Sequence, residues 1–366
     1  MIIPSISLKD EDLYITCSAK NIVNLLGYRL QINAPPFMSQ DGVVSTCSTT
    51  SLFSIISCLE AKFNLNKLTS HKITLIANKI DKRSRNFPSA GLSYQQMMNF
   101  FTEIQLHPLY YSNMDSKTAK GVIYSYIENG IPALANLKFP QKTARHAVVI
   151  VGHSVSSTKT QRGLYVSDYI GHFIVHDDQR GPYTILQFDE SSNDCRIRLI
   201  FDGGSDEGII ESVIVPLPEF VNFDHTKVME ALSFMNTYLK IYLSGRDIIF
   251  RVFLTTSNDF KSYVADDLGF AQYPLFQNAY LSYRMPRHIW LIEICDRRKY
   301  LEKGYKDCVI GELIIDATGF HTKEAILIAR VEENFANGNL NQRFVEIKKP
   351  PKIRSLFLPP REIQII

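Results

Sequence analysis

The apolar residues of this chain change period at Pro132. Before it, they recur every three or four positions, as on one face of a helix. Leu52, Ile55, Ile56, Leu59 and Phe63 follow Cys47 in this way, with Ser45 or Thr46 able to cap the helix. Ser93 to Phe101 repeats the pattern behind Gly91-Leu92-Ser93, and a third helix over Lys117 to Glu128 stops at Asn129-Gly130. After Pro132 the pattern becomes that of short strands: Ala133 to Leu137, Ala147 to Val151, Leu164 to Val166, Phe173 to Val175, Arg196 to Phe201 and Ile209 to Val215. Helices first and strands second predict an α+β fold rather than a wound parallel sheet. The segregation also predicts an antiparallel sheet after N-terminal helices.

The flanks complete the division. Asp12 to Leu26 reads as a short helix followed by an extended lead-in, and Pro35-Pro36 ends regular structure. Asp202 to Gly208 reads as a loop, and Pro216-Leu217-Pro218 closes the first domain. A long helix, His225 to Leu243, carries Val228, Leu232, Met235, Leu239 and Leu243 on one stripe. Strands at Ile248 to Leu254, His288 to Ile294, Val309 to Ile315, Ala325 to Val331 and Phe344 to Ile347 follow. The expected organisation is a lead-in segment over 1–37, a first domain over 38–220, and an additional C-terminal α+β domain over 221–366.

Of 366 residues, 45% are hydrophobic and 21% charged, which is globular composition with room for more than one core. The net charge is +3, and basic residues cluster only briefly, at Asp81 to Arg85, Asp296 to Lys299 and Lys348 to Lys352. A nucleic-acid partner would need a denser basic stripe. Lys9-Asp10-Glu11-Asp12 comes too early for a signal-peptide core, and no apolar stretch reaches bilayer-spanning length. A cytoplasmic chain without a membrane partner is therefore expected. Six cysteines, without C-x-x-C spacing, read as free thiols rather than as a disulfide frame or zinc site.

One constellation implies chemistry. Cys47 opens a helix, where unsatisfied N–H groups and the helix dipole favour thiolate. His146 leads the strand Ala147 to Val151, and Asp177 closes the strand Phe173 to Val175, followed by Asp178-Gln179-Arg180-Gly181-Pro182. Cysteine, histidine and aspartate in this order suit a thiol nucleophile, its base and an orienting acid. Gln40 lies upstream, where an amide could join the Cys47 N–H around an oxyanion. His153, His172 and His176 have the spacing of turn and strand surfaces, not of a metal site. Cys58 and Trp290 read as core.

The cysteine motif, Gly91-Leu92-Ser93-Tyr94, Asn129-Gly130-Ile131-Pro132-Ala133, the His146 strand and Val175-His176-Asp177-Asp178-x-x-Gly181 occur in sequence. This series resembles the papain-like cysteine peptidases of the bacteriocin-processing, double-glycine-leader group, over about residues 38 to 218. The resemblance implies a bacterial enzyme of papain-like fold, with Cys47 as nucleophile, His146 as base and acid, Asp177 as orienting acid and Gln40 as oxyanion donor. Members usually carry Cys-Gly-x-Ala where this chain has Cys47-Ser48-Thr49-Thr50. Gln40 lies one residue further from the cysteine than is usual. Asp178 replaces the proline of a common Asp-Pro turn, so Asp178 is an alternative acid, although the register favours Asp177.

The leading expectation is a cysteine hydrolase that cleaves a peptide or isopeptide bond through a thioester, with no metal or organic cofactor. An acyltransferase or transglutaminase-like enzyme would use the same triad with an amine acceptor. A catalytically inactive papain-like module that binds rather than cleaves is the third alternative. The expected partner is a peptide or protein substrate, with a further protein partner possible through the C-terminal domain.

Overall fold

The computed structural model describes residues 12–39, 46–79, 91–140, 145–155, 163–192, 194–218, 220–302, 307–320, 325–331, 334–337 and 345–346. The chain divides into two compact units. The first holds the described residues of Met1–Ser156 and Ile170–Glu219; the second holds those of Ser157–Tyr169 and Phe220–Pro359.

The first unit opens on strands, not on a helix: β1 (Asp12–Ile15), β2 (Ala19–Leu25) and β3 (Tyr28–Ala34). This corrects the helix expected over Asp12 to Leu26. Leu26 and Gly27 both adopt positive φ (49° and 85°), the backbone of a two-residue hairpin turn, and β2 pairs with β3 from Ala19↔Ala34 to Leu25↔Tyr28. The helices follow: α1 (Cys47–Phe63), α2 (Ser70–Ala77) and α3 (Tyr94–Glu103). Ser93 caps α3 reciprocally with Gln96. A strand unseen in the sequence, β4 (Leu106–Ser112), separates α3 from α4 (Ser116–Ile127).

Then come β5 (Ala133–Lys138), β6 (Arg145–Val155), β7 (Ile170–Asp177), β8 (Gly181–Phe188), β9 (Arg196–Phe201) and β10 (Gly204–Pro218). Each pairs antiparallel with the next, and β10 returns to β5, so the expected sheet is a closed barrel. Closure needs β10 to serve two neighbours. It leaves β9 at Ile209, bulges between Ile210 and Ser212, and continues along β5. The loop expected over 202–208 is thus a tight turn feeding β10. Val148, Ile150, Phe173, Val175, Leu186, Leu199, Val213 and Val215 are buried on these strands. Leu52, Ile55, Ile56 and Leu59 bury the matching face of α1.

The second unit contains α5 (His225–Leu243), with the boundaries its apolar stripe indicated. Its sheet runs β11 (Ile248–Thr256), β12 (His288–Asp296), β13 (Val309–Asp316), β14 (Ile326–Val331), β15 (Asn334–Asn337) and β16 (Val345–Glu346), all antiparallel. Between β11 and β12 lie α6 (Ser257–Asp266), α7 (Leu268–Ala271) and α8 (Pro274–Ser282), and α9 (Arg297–Leu301) follows β12. Leu164 to Val166, expected as a strand, gives a single bridge from Tyr165 to Phe250 and runs into a 3-10 turn over Val166–Tyr169. Four charges stand side by side across four strands, Arg251↔Glu293↔Glu312↔Arg330. All four are buried, and Arg251 bonds Glu293 at 2.9 Å while Arg330 and Tyr280 bond Glu312. Such a ladder fixes register, because a one-residue slip would leave buried charges unpaired. Among the described residues, no helix is long and apolar enough to cross a membrane.

Candidate active site

Barrel topology brings the site together. Strands β6 and β7 run antiparallel with Val149 opposite His176, so the start of β6 lies beside the end of β7. His146 and Asp177 therefore share one end of the barrel. The first turns of α1 lie against β6, where Ser51 Oγ donates to the Ala147 carbonyl at 3.2 Å. This places the N-terminus of α1, with Cys47 as its first residue, next to His146. Thr46 occupies the cap position and its side chain makes no capping bond; the amides of a helix N-terminus favour an anion at this position.

His146 Nε2 lies 2.9 Å from Asp177 Oδ1 and 3.8 Å from Asp178 Oδ1. The ring N–H is not aligned with the Asp177 oxygen, so the contact is an ion pair by distance rather than a well-directed hydrogen bond. With Nε2 facing the carboxylates, Nδ1 is left for the Cys47 thiol. Burial disfavours the imidazolium, yet Asp177 and Cys47 outweigh it and raise His146 to about 9. Burial likewise disfavours the Cys47 thiolate. The hydrogen bond and charge of His146, with the Ala147 N–H, overcome this and hold the thiol below its ordinary range. The two shifts have one cause: each charged partner stabilises the other.

Asp177 is wholly buried and accepts three hydrogen bonds besides its ion pair with His146. Oδ1 accepts the N–H groups of Gln179 (2.9 Å) and Arg180 (3.0 Å), and Oδ2 accepts Arg180 Nη1 at 2.8 Å. With His146 these contacts overcome burial and hold the carboxyl at about 2. Arg180 is assigned no role by the sequence alone. Its Nε bonds Asp206 at 3.0 Å, and its guanidinium lies 4.9 Å from the Phe139 ring and 5.6 Å from Phe201. The signal was present in the turn Asp177-x-x-Arg180-Gly181, where an Asx turn brings the arginine back over the aspartate.

Asp178 differs. It is buried, and among the described residues neither carboxyl oxygen has a well-formed hydrogen bond. The Thr50 hydroxyl interacts with it, but its proton goes to the Cys47 carbonyl at 2.9 Å. Burial pushes Asp178 up to about 6, against the pull of His146. It lines a small, open cleft with Phe37, Met38, Thr50, Ser51, Ser54, Val149 and His176. His176 faces the Pro36 carbonyl through Nδ1 at 3.2 Å, and burial lowers it to about 4, so it is neutral.

Four of the five residues singled out in the sequence thus meet at one place: Cys47, His146, Asp177 and Asp178. Gln40 lies outside the described residues. His146, Asp177 and Asp178 also offer ligand atoms within 4.8 Å of one another. Both Asp177 oxygens are already engaged by amides and a guanidinium, which fits charge pairing better than metal ligation. His153 is not on a surface: it is buried in β6 and pairs with Glu128 at 2.7 Å. Burial pushes the Cys58 thiol up to about 12, the value of an inert core cysteine. Trp290 is fully buried, its Nε1 donating to the Phe223 carbonyl at 2.6 Å.

Residues 28–179 match the model of the Peptidase_C39-like family, a span that contains Cys47, His146, Asp177 and Asp178. The match supports a relationship to papain-like cysteine peptidases. No curated protein matches the chain.

Proposed function

We propose that the chain is a cysteine hydrolase acting on a peptide or isopeptide bond. The observation that carries the reading is the placement of Cys47, the first residue of α1, beside His146, whose Nε2 lies 2.9 Å from the buried Asp177; the thiol shifted down and the imidazole shifted up agree with it. His146 takes the thiol proton, so the pair rests as thiolate and imidazolium. The thiolate attacks the carbonyl carbon. The resulting oxyanion lies at the N-terminus of α1, where the Cys47 N–H donates, with Gln40 as a second donor. The imidazolium gives its proton to the leaving amine as the C–N bond breaks. Water, deprotonated by His146, then attacks the thioester and restores the thiol. Asp177 holds the ring orientation and balances its charge throughout. Asp178 stands beside the pair without replacing Asp177, whose contacts suit the orienting role.

The same reading takes residues 38–220 as the peptidase domain and residues 221–366 as a domain that docks a protein partner or selects substrate. A peptide-library digest followed by mass spectrometry tests it. The wild type should release fragments and Cys47→Ala should release none. Adding a primary amine separates hydrolysis from acyl transfer, because a transferase would yield amide adducts. A wild type that cleaves nothing and forms no adduct at any pH between 5 and 9 would sink the enzymatic reading.

A further inference from the structure

We infer that the β2–β3 hairpin is a membrane-surface anchor, whose apolar tip enters the headgroup region of an anionic bilayer. This proposal is independent of the peptidase reading.

Every residue from Ile22 to Gln31 is exposed, so the outer half of the hairpin stands free on all sides. Yet Ile22, Val23, Leu25, Leu26, Tyr28 and Leu30 belong to it, half of the exposed large apolar side chains among the described residues. Such clustering marks a contact surface. The register sorts the side chains. Val23 and Leu30 are opposite one another, as are Leu25 and Tyr28, and all four share a face. The other face carries Lys20, Asn24, Arg29, Gln31 and Asn33, interrupted by Ile22.

Exposure rises toward the turn, reaching 92% for Leu26 and 74% for Tyr28. Leu26 is also at φ 49°, where a leucine is strained and an asparagine would fit. Neither water nor the backbone favours leucine at this position, whereas an apolar medium does.

The gradient favours a bilayer over a protein groove. A groove would cover the face of Val23, Leu25, Tyr28 and Leu30, but the most exposed apolar residue, Leu26, stands at the turn itself, and Ile22 is exposed on the other face. The only charges in Ala19–Ala34 are Lys20 and Arg29, both basic, set behind the tip where anionic headgroups would lie. Tyr28 has the amphipathic ring found at membrane interfaces. Four residues of each strand reach about 13 Å at 3.3 Å per residue. That length suits interfacial entry, and the unpaired outer edges of the two strands keep it from going deeper. The expectation of no membrane partner rested on the lack of a spanning stretch, which bears on crossing a bilayer and not on adsorption to its surface.

The test is co-sedimentation of the full chain with phosphatidylcholine vesicles, with and without phosphatidylglycerol. The wild type should bind the anionic vesicles, and added salt should weaken binding. Leu25→Asn with Leu26→Asn should lower the bound fraction roughly tenfold or more. Lys20→Glu with Arg29→Glu should abolish the preference for anionic lipid. Thermal midpoints of both variants should not fall below the wild-type value, because the altered side chains are exposed and asparagine fits the backbone at position 26. A wild type that ignores both vesicle types overturns the proposal, as does binding that survives the Leu25 and Leu26 changes. Self-association that needs Leu26, without lipid binding, would overturn it in favour of a protein contact.

Discussion

His146 Nε2 and Asp177 Oδ1 lie 2.9 Å apart at one end of the barrel, the aspartate fully enclosed and the histidine nearly so. In that setting the carboxylate has no water to screen it, and it fixes which ring nitrogen is left for the thiol. Asp177→Asn keeps the shape and removes the charge. We expect the onset of Cys47 thiolate formation to move up in pH, and turnover to fall by roughly 10²-fold or more. Iodoacetamide labelling and peptide cleavage read the two effects. If both stay unchanged, Asp177 does not orient His146.

Arg180 is expected to act through Asp177 rather than on substrate. It joins Asp177 to Asp206 across the barrel mouth. Arg180→Met would leave the buried carboxylate short of one partner, at a cost of about 3 kcal/mol. Urea unfolding near neutral pH should show the loss. The sign with pH follows from the depressed Asp177 carboxyl. Its contribution is present above its unfolded value of 3.8 and is lost as pH falls through about 2. The variant should therefore lie closest to wild type in strong acid. Arg180→Lys should rescue only part of the loss, since one ammonium cannot reproduce the forked contact.

The thiols of the chain should separate by pH. Burial pushes Cys58 and Cys195 up to about 12, while His146 holds Cys47 below the ordinary thiol range. Labelling of Cys47 should begin below the pH of a free thiol. It should rise again only as the imidazolium is lost near 9, where a free thiolate replaces the ion pair. Because His146 is raised from 6.5, the stability its charge adds is complete below that value and is lost as pH rises through about 9. His146→Ala should push labelling of Cys47 toward that of an ordinary thiol. Mass spectrometry of each labelled cysteine reads the ranking, and a Cys47 that labels no faster than Cys58 would remove the activated pair.

What could be read from the sequence was local. The stripe of Val228, Leu232, Met235, Leu239 and Leu243 spans about four turns, so α5 was delimited to the residue. The helical pattern over Ser93 to Phe101, opened by Gly91-Leu92-Ser93, likewise announced α3. The hairpin at Leu26-Gly27 hid because its turn lacks the usual Asn-Gly, and because a helix also accommodates Ile22 and Val23. Strand β4 hid behind Pro108 and β8 behind Gly181-Pro182, residues that read as breaks. Barrel closure depends on β10 meeting β5, some seventy residues earlier, and no local pattern carries such a contact. The order Cys47, His146, Asp177 was legible because the chemistry restricts the residue types. The environment of Asp178 was not, since burial and missing donors are properties of the assembled site.

Asp178 yields the sharpest separation between stability and chemistry. Its carboxyl is raised from 3.8 to about 6, so burial favours the neutral form. The raised value means that stability is highest below 3.8, declines as pH climbs toward 6, and stays lower above it. Asp178→Asn removes that penalty and should stabilise the protein above pH 6 by about 1 to 3 kcal/mol, with no gain near pH 4. Activity should respond differently. The charge of Asp178 disfavours the Cys47 thiolate, so its removal should shift Cys47 labelling to lower pH. Urea unfolding at pH 4 and pH 8, beside the labelling profile, distinguishes the two effects. A variant destabilised at pH 8 would mean that the carboxylate is held by a favourable contact. The same loss together with slower labelling would make Asp178, rather than Asp177, the acid that orients His146.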